Sequence, residues 1–505
     1  MEEFTQSIDL LAERLGGAAL LASDEFFAPK ENLVRASEPT FLADAYTERG
    51  KLMDGWESRR KRTPGFDWCI LRLGLPGIVR GVVVDTAYFR GNFPESCSIE
   101  GCAVGPNVTP DALASPQTKW IELLPRATLR GDAKNEFRIE SPWCFTHLRL
   151  NIFPDGGVAR LRVHGLAMPD WKRVSRAGLE LDLAALEHGS KLVATNDRFF
   201  GSAQNMLMPG ASTHMGDGWE TRRRRTPGHD WAIVRLAMRG RVQRAEIDTT
   251  HFKGNYPDAA SLEACSAPDA TVEQLTGDAA GVEWRELMPR QKLQAHTSHV
   301  YERELAQLDE TTHVRVSIHP DGGVARLRLL GVASAAGRAS AVLCGLNALA
   351  PERWKAELLE CCGSTTWVDA MASARPYPTL EAIEAASDRI AHELSRTDWL
   401  EAFGRHPKIG ERSASGSTRA WSEQEQAGAR AAGAASVAEL ARVNAEYQKK
   451  FGFIFIVCAT GKSADEMLAA AKARLGNSPE AELRNASEEQ RKITRLRLAK
   501  LFEGR

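Results

Sequence analysis

Residues 54–68 read DGWESRRKRTPGFDW, and residues 217–231 read DGWETRRRRTPGHDW. Twelve of the fifteen positions are identical, and the copies begin 163 positions apart. Each copy crowds arginine, acidic residues and tryptophan into one short segment, a mixture that is poor material for a hydrophobic core. A duplicated segment of this kind indicates that a larger unit has been repeated.

The charged stretch belongs to a longer repeat whose matching segments occur in the same order in both copies. DEFFAPKENLV matches DRFFGSAQNML, VDTAYFRGNFP matches IDTTHFKGNYP, and WIELLPR matches WRELMPR. PDGGVARLR occurs letter for letter at Pro154 and again at Pro320. Two copies of one module of roughly 140 residues therefore fill about 24–166 and 197–332.

Each module alternates short apolar runs with Gly, Pro, Asn and Asp, which is typical of an antiparallel β-sandwich or jelly roll. The segment LRLNIFPDGGVARLRVHG at 148–165 predicts a hairpin, because a Pro-Asp-Gly-Gly turn separates two alternating runs. On its second strand the two-residue period places Arg160 and Arg162 on one face and Leu161 and Val163 on the other. We therefore expect one core face and one cationic face.

The pattern changes after the second module to alanine, glutamate, leucine and arginine at helical spacing, as in LNALAPERWKAELLECC. The sequence therefore predicts a multidomain fold in which two tandem all-β jelly-roll or β-sandwich modules are followed by an all-α domain. The predicted units are repeat 1 at 1–168, an ordered connector at 169–196, repeat 2 at 197–335, a linker at 336–344 and the helical domain at 345–505.

Composition excludes several classes of protein. A chain of 505 residues is long enough for roughly three domains. Its 65 basic and 66 acidic residues leave a net charge of -1, so no global field attracts nucleic acid or an anionic membrane. The basic runs RRKR and RRRR are flanked by acids and accompanied by no recognition motif, which argues against nucleic-acid binding.

The sequence also indicates a cytoplasmic protein. Nine cysteines without CxxC spacing fit reduced thiols better than a disulfide framework or a zinc site. The acidic N-terminus lacks the features of a signal peptide, and the apolar run at 453–459 is too short to span a bilayer. We therefore expect no membrane anchor.

The charged stretch in each copy suits a ligand that carries both a carboxylate and amide groups. Arginine binds a carboxylate in a bidentate manner, and Asp or Glu accepts hydrogen bonds from ureido N–H groups. The alternative is a structural loop in which these charges form salt bridges with one another. Both interpretations are open at the level of sequence.

The repeated motifs resemble the allantoicase family, and the resemblance covers nearly all of residues 20–335. It implies two jelly-roll-like repeats that hydrolyse allantoate to ureidoglycolate and urea. Arginine would hold the substrate carboxylate, since allantoate is an acetate whose α-carbon bears two ureido groups. The candidate carboxylate ligands are Arg222, Arg223, Arg326 and Arg328.

Hydrolysis of allantoate requires a proton on the leaving nitrogen and water at an imine-like carbon. The candidate acid or base residues are Glu220, His229 and Asp230. The second copy has histidine where the first has Phe66, Tyr88 and Phe153. The resemblance implies a divalent cation in some family members, so His229 and His251 are candidate metal ligands, the alternative being ordinary surface or core histidines.

The helical half carries a second ordered set of motifs, namely RHPKIGE, WSEQEQAG, FGFIFIVCATGKSADEML and EEQRKITRLRL. This set resembles 2-oxo-4-hydroxy-4-carboxy-5-ureidoimidazoline (OHCU) decarboxylase over essentially all of 345–503. The resemblance implies an all-helical enzyme that forms (S)-allantoin without a cofactor. It centres on the histidine of HPKIG, which is His406.

The same resemblance implies the roles of the other site residues. His406 would polarise the hydroxyl or carboxylate region of the substrate, Glu425 would guide protonation, and Arg497 would hold negative charge. Arg495 lies in the same motif, and two positions along a helix point in different directions, so only one of the two arginines faces the site. The implied substrate-binding residues are Pro407, Ser422, Gln426, Phe455 and Val457.

Together the two resemblances predict a bifunctional enzyme of purine and ureide catabolism. Its expected partners are small-molecule substrates, with no nucleic acid and no membrane, and the family implies a homo-oligomer. The alternative is that the doubled half is a non-catalytic ligand-binding or assembly module attached to an active decarboxylase.

Overall fold

The computed structural model describes residues 4–105, 107–174, 176–277, 281–406 and 434–503. The chain divides into two compact units, Met1–Ala350 and Pro351–Arg505. Within the described ranges, no helix is long and apolar enough to cross a membrane.

In its described residues, the first repeat has twelve strands and one short α-helix, α1 (Pro110–Ala114). Its strands are β1 (Ile8–Asp9), β2 (Ala18–Ala22), β3 (Tyr46–Thr47), β4 (Gly50–Lys51), β5 (Trp56–Glu57), β6 (Asp67–Asp85), β7 (Ser96–Cys102), β8 (Ile121–Thr128), β9 (Lys134–Arg138), β10 (Cys144–Phe153), β11 (Gly157–Val158) and β12 (Arg160–Ala167). The main sheet has the order β1-β12-β6-β10-β7-β8, with β2 and β9 also pairing with β6.

The second repeat has the same topology. It follows a short helix, α2 (Trp171–Val174), and contains helix α3 (Val272–Thr276). Its strands are β13 (Glu180–Asp182), β14 (Lys191–Thr195), β15 (Trp219–Glu220), β16 (Asp230–Asp248), β17 (Ala259–Cys265), β18 (Arg285–Lys292), β19 (Ser298–Tyr301), β20 (Thr311–His319), β21 (Gly323–Val324) and β22 (Arg326–Ala333). The main sheet has the order β13-β22-β16-β20-β17-β18, with β14 and β19 pairing with β16. The two tandem all-β modules predicted from the sequence are confirmed.

One long strand organises each repeat. The first part of β6 pairs with β2 and β10, and its last part pairs with β12 and β9. Strand β16 has the corresponding partners β14, β20, β22 and β19. The strand therefore joins the two halves of each module, and its alternating buried positions supply much of the core.

The predicted hairpin at 148–165 is wrong in its pairing. Strands β10 and β12 do not pair with each other, because they lie on opposite sides of β6. The turn between them contains β11, which pairs with β5 in the charged stretch. The longer β6 satisfies the backbone groups of both strands, which local turn residues could not reveal.

The charged stretch is anchored in the core by its tryptophan. Trp56 and Trp219 are both fully buried. The indole Nε1 of Trp56 donates to the carbonyl of Asp24 at 2.8 Å, and that of Trp219 donates to the carbonyl of Asp197 at 2.9 Å. Burial with a satisfied N–H group lets this segment hold its charges in a fixed position.

The second half of the segment between the repeats belongs to the second repeat rather than to a separate connector. Within the predicted connector 169–196, strand β13 pairs with β22 and strand β14 pairs with β16. Strands of three and five residues have too short a pattern to identify from sequence.

Residues 336–344, predicted as a linker, form the middle of helix α4 (Ala335–Ala348). The hydroxyl of Ser334 caps this helix by accepting from the amide of Gly337 at 3.0 Å. Gly345 lies directly against Trp171 of α2, since a Cβ atom at this position would lie 2.4 Å from Trp171 Cδ1. The helix is therefore packed on the all-β unit.

The regular secondary structure of the second unit is all helical over its described residues, as predicted. Its helices are α5 (Pro351–Cys361), α6 (Thr365–Ser373), α7 (Leu380–Glu393), α8 (Arg396–Gly404), α9 (Ala434–Phe451), α10 (Ala464–Arg474) and α11 (Pro479–Phe502). The extended segment Phe453–Cys458 follows α9 and is mostly buried. Buried Glu482 of α11 accepts from Arg474 Nε and Asn477 Nδ2, both at 2.7 Å, which ties α10 to α11.

Candidate functional sites

The most buried ion pair of the second charged stretch joins Asp217 to Arg326. Arg326 Nη2 donates to Asp217 Oδ2 at 2.8 Å, and Arg326 Nη1 donates to the Asp217 carbonyl at 2.6 Å. The remaining donors of Arg326 face the backbone carbonyls of Asn205, Gly210, Ala211 and Ala325. Arg326 therefore holds the loop before β15 in place.

Electrostatics at Asp217 agree with this structural role. Burial alone would raise the pKa of Asp217, but hydrogen bonding to Arg326 and the charge of Arg326 outweigh it and lower the pKa below 3.8. Arg14 of the first repeat also forms an ion pair with Asp217. The charged stretch of the second repeat is thus fixed partly by the first.

The first repeat contains the equivalent pair. Arg160 Nη2 donates to Asp54 Oδ2 at 2.9 Å, and Arg160 Nη1 donates to the Asp54 carbonyl at 3.0 Å. Arg160 is only 1% exposed, so the predicted cationic face of this strand is covered. Arg328, the other predicted ligand on β22, donates to the carbonyls of Met208 and Gly210 at 2.6 and 2.9 Å.

Four further charges of the two copies, with their acids, pair within each repeat. Arg222 Nε donates to Asp197 Oδ2 at 2.8 Å, and Arg224 forms an ion pair with Asp230, which is 1% exposed. The first repeat reproduces these contacts with Arg59 on Asp24 and Lys61 on Asp67. The salt-bridged loop, weighed as an alternative at the level of sequence, therefore accounts for most of these charges.

Glu220 and its counterpart Glu57 differ from the other acids of the stretch. Asn255 Nδ2 donates to Glu220 Oε1 at 2.6 Å, and Asn92 Nδ2 donates to Glu57 Oε1 at 2.7 Å. Within the described part of the chain neither carboxylate forms an ion pair. Burial raises the pKa of Glu57, and the hydrogen bond from Asn92 opposes it only in part. A half-buried carboxyl group beside a neutral amide suits proton transfer better than a salt-bridged one.

The histidines gained by the second repeat occupy aromatic positions of the first. His229 and His319 pack with ring centroids 4.7 Å apart and an interplanar angle of 43°. Phe66 and Phe153 pack with centroids 4.9 Å apart at the same angle. Burial, together with the nearby positive charge of Arg290, lowers the pKa of His319 to about 4.

His251 lies in a different cluster from His229. Its amide donates to His296 Nδ1 at 2.8 Å, and its Nε2 lies 3.0 Å from the carbonyl oxygen of Ser212. Across the ranges that the structure describes, no three potential His, Cys, Asp or Glu ligands lie together as a metal site. His229 and His251 therefore do not fit a shared divalent cation.

The second unit contains a hydrogen-bonded histidine at the end of α8. His406 Nε2 lies 2.7 Å from Oε1 of Gln490, which is fully buried on α11. Gln490 Nε2 donates to Thr494 Oγ1 at 3.4 Å. The predicted catalytic histidine is therefore held against one face of α11.

Helix α11 also distinguishes the two arginines of its motif. Arg497 is 5% exposed and donates from Nη1 to the carbonyl of Glu360 at 3.1 Å. Arg495 is at the surface, where its Nη2 forms an ion pair of 2.5 Å with Asp388. Gln490 and Arg497 are seven residues apart, two helical turns, so they lie on the same buried face. The buried arginine is therefore Arg497.

The segment Phe453–Cys458 is fixed by polar side chains from neighbouring helices. The amide of Phe455 donates to Asn444 Oδ1 at 2.7 Å, and that of Cys458 donates to Glu489 Oε2 at 2.7 Å. Phe455 is buried and Val457 is half-buried. The remaining predicted residues of this site, Pro407, Ser422, Glu425 and Gln426, lie outside the described residues.

Comparison with known proteins assigns both units. The allantoicase repeat family matches residues 8–168 and 181–334. Probable allantoicase 1 of Burkholderia mallei is 49% identical over 330 residues, which cover 65% of this chain and 96% of that protein. The chain belongs to the allantoicase family. The OHCU decarboxylase family matches residues 347–499, so the chain is a fusion of allantoicase repeats with an OHCU decarboxylase domain.

Solved structures were found for each part. The crystal structure of allantoicase from Saccharomyces cerevisiae is 32% identical, with a TM-score of 0.54 over 64% of this chain and 93% of that chain. A crystal structure of OHCU decarboxylase in the presence of (S)-allantoin is 42% identical, covers 29% of this chain and 96% of that chain, and has a TM-score of 0.26.

Two residues of these sites were missed by sequence reasoning. Asn255 of the allantoicase unit lies in the motif GNYP, which repeats GNFP at Asn92. Gln490 of the decarboxylase domain lies one heptad before Arg497 in EEQRKITRLRL. The repeated GN(F/Y)P motif could have identified Asn255, and the seven-residue spacing from Arg497 on one helix could have identified Gln490.

Proposed function

We propose that this chain carries out two reactions of purine and ureide catabolism. The allantoicase unit hydrolyses allantoate to (S)-ureidoglycolate and urea, and the C-terminal unit decarboxylates OHCU to (S)-allantoin without a cofactor. The observation that carries this proposal is that both families match, each over one compact unit of the same chain. The match to allantoicase does not favour a purely binding or assembly role for the doubled half.

For allantoate hydrolysis, we assign proton transfer to the carboxyl group of Glu220 or of its counterpart Glu57. The carboxylic acid protonates the leaving ureido nitrogen, and the C–N bond breaks to release urea. Water then adds its hydroxide to the carbon and returns a proton to the carboxylate. The amides of Asn255 and Asn92 hold these carboxyl groups in place.

The substrate carboxylate would be bound by arginine at the mouth of the site. Arg222 and Arg223 are exposed, and Arg222 is already oriented by Asp197. Arg326 and Arg328 would not contact the substrate but would hold the loop that precedes Glu220 in place. His229 and Asp230 then belong to the structural surroundings rather than to proton transfer.

For decarboxylation, the bond between the ring carbon and the carboxylate breaks, and CO2 leaves. The electron pair is delocalised over the adjacent ring atoms, and a proton is then added to give (S)-allantoin. His406 would polarise the hydroxyl or carboxylate region, and Arg497 would stabilise the developing negative charge. Glu425, outside the described residues, remains the proposed guide of protonation.

The allantoicase proposal is tested by urea release from allantoate with Glu57→Gln, Glu220→Gln and the double variant of the full chain. We expect the double variant to lose at least about 100-fold in rate, because glutamine cannot transfer the proton. The single variants show whether one repeat or both catalyse. Glu273→Gln on helix α3 is the matched control and should retain the wild-type rate. Full urea release by the double variant would exclude these carboxylates as the acid.

Metal dependence is tested on the same protein by exhaustive chelation. If urea release survives chelation, acids and arginines carry out the reaction without a metal. If chelation abolishes urea release and a divalent cation restores it, the cation binds at a site other than the histidine pairs His229–His319 and His251–His296. Absence of urea release from the wild-type chain would favour the binding-module alternative.

The expected context of the protein remains a proposal. We propose a cytoplasmic enzyme that binds small-molecule substrates and neither nucleic acid nor membrane. Reduced, free cysteines are consistent with that compartment. We also propose a homo-oligomer, which light scattering of the purified chain would test.

A further inference from the structure

A chain of hydrogen bonds runs behind His406 along the buried face of helix α11. It links His406 Nε2 to Gln490 Oε1 at 2.7 Å, Gln490 Nε2 to Thr494 Oγ1 at 3.4 Å, and Thr494 Oγ1 to the carbonyl oxygen of Cys361 at 3.5 Å. Gln490 is fully buried and Thr494 is 4% exposed. The chain therefore lies in protein interior, where hydrogen-bond direction is costly to reverse.

The direction of these bonds is fixed from one end. A carbonyl oxygen can only accept, so the Thr494 hydroxyl donates to Cys361. The lone pairs of Thr494 Oγ1 then accept from the Gln490 amide nitrogen, and this orients the amide so that its oxygen faces His406. An oxygen that can only accept requires a proton on the facing ring nitrogen. His406 Nε2 must therefore carry a hydrogen.

We propose that Gln490 is a positioning residue that fixes His406 as the Nε2-protonated tautomer, with Nδ1 as the nitrogen that gains and loses a proton. This inference rests on the proposed decarboxylase function. Gln490 contacts the imidazole and acts on the reaction through it. Thr494 is a second positioning residue, because its hydroxyl orients the Gln490 amide.

The proposal gives a role to Gln490, one of several polar residues on the buried face of α11. A buried glutamine would destabilise α11 if its amide lacked partners, but here the oxygen and the nitrogen each have one. Without the tautomer control, the neutral imidazole would divide between two forms, only one of which presents the basic nitrogen on the side away from α11.

The test compares three variants of the full chain. Gln490→Met keeps the side-chain length but removes the acceptor, Gln490→Glu keeps an acceptor at the same place, and Thr494→Val removes the hydroxyl that orients the amide. We expect Gln490→Met to lower kcat for allantoin formation by about 10- to 100-fold with KM changed by less than about threefold. Gln490→Glu should lose less than Gln490→Met, and Thr494→Val should be intermediate.

Selective 15N labelling of histidine reads the tautomer directly in the full chain, with His406 assigned by its loss in His406→Asn. We expect an Nε2-protonated ring in the wild type and a mixed or inverted signal in Gln490→Met. An Nδ1-protonated ring in the wild type would overturn the proposal. So would a Gln490→Met variant that keeps both the wild-type tautomer and the wild-type kcat.

Failure of the proposed function is distinguishable from failure of this inference. If the wild-type chain formed no allantoin, the decarboxylase assignment would fail, while the 15N signal would still report whether Gln490 sets the tautomer. Thr494→Val decides the question if Gln490→Met does not fold, since it should shift the tautomer while leaving the glutamine in place. Urea release by the same chain serves as the concentration standard for every variant.

Discussion

At the scale of single residues, two arginines that each form an ion pair with an aspartate differ in how much they contribute to stability. The side chain of Arg326 is 5% exposed, and its ion pair with Asp217 is surrounded by backbone carbonyls that it also binds. The side chain of Arg222 is 63% exposed, although it too forms an ion pair, with Asp197. Burial, rather than the presence of a salt bridge, decides how much each arginine contributes to stability.

This difference gives a matched pair of substitutions. Arg326→Met should lower the free energy of unfolding by about 3–5 kcal/mol, because it removes the buried partner of the Asp217 carboxylate and of several carbonyls and leaves Asp217 only the more exposed Arg14. Arg222→Met should cost less than about 1 kcal/mol, because water and salt already screen that pair. Guanidinium chloride unfolding of both variants, followed by circular dichroism, measures the difference. Equal losses of unfolding free energy in the two variants would show that water replaces Arg326 as the hydrogen-bond donor to the loop carbonyls.

Two equivalent histidines provide a second residue-scale prediction. His147 and His313 are 4% and 3% exposed, and burial, with some help from Arg72 and Arg235, lowers each pKa from 6.5 to about 4. Between these values the unfolded state binds more protons than the folded state, so stability falls as pH falls from about 6.5 towards 4. Each histidine should contribute a loss of about 2 kcal/mol between pH 7 and pH 5.

The measurement is unfolding by denaturant at both pH values for the wild type and for a His147→Gln, His313→Gln double variant. Glutamine does not titrate in this range, so the stability of the double variant should depend less on pH, even though its stability at neutral pH is lower. A double variant with the same pH dependence as the wild type would mean that these histidines remain neutral in both states or charge in both.

At the scale of elements, the sequence predicts the repeated modules and the elements with a clear hydrophobic period. It does not predict strand pairing or contacts between residues that are far apart in the chain. The two β modules and the helical unit follow from duplication and from hydrophobic period. The pairing of β10 and β12 with β6 could not be predicted, because a Pro-Asp-Gly-Gly turn also favours a hairpin. The site showed the same limit, since the buried partners of Asp217 and His406 lie 109 and 84 residues away.

Helix α4 illustrates how such a partner converts a linker-like sequence into a fixed element. Its small residues resemble a flexible connection, yet Gly345 allows the helix to approach Trp171 closely. Gly345→Val should therefore destabilise the allantoicase unit, by about 1–3 kcal/mol for overpacking. Ala339→Val on the exposed side of the same helix is the control for the helix propensity of valine. Equal unfolding temperatures for the two variants would indicate that the Trp171 side chain moves to accommodate valine at position 345.

At the scale of the whole molecule, the chain joins two reactions that are not consecutive. The decarboxylase product is allantoin, a ring, whereas the allantoicase substrate is the open-chain allantoate, so a hydrolytic ring opening must intervene. Direct transfer of product from one site to the other therefore has no chemical basis. The fusion ensures equal amounts of the two enzymes, and the two activities should be separable.

Separability is tested with the variants that remove one activity each. His406→Asn should abolish allantoin formation and leave urea release at the wild-type rate, and Glu57→Gln with Glu220→Gln should do the reverse. The expectation follows from the division into compact units at Ala350 and Pro351, with each candidate site built from residues of one unit. Both rates are measured on the same preparations, singly and after mixing the two variants in equal amounts. Mixing should give half the wild-type rate per chain for each reaction. Slower urea release by His406→Asn would instead show that the decarboxylase unit supports the allantoicase repeats, and the fusion would then have a structural consequence beyond equal expression.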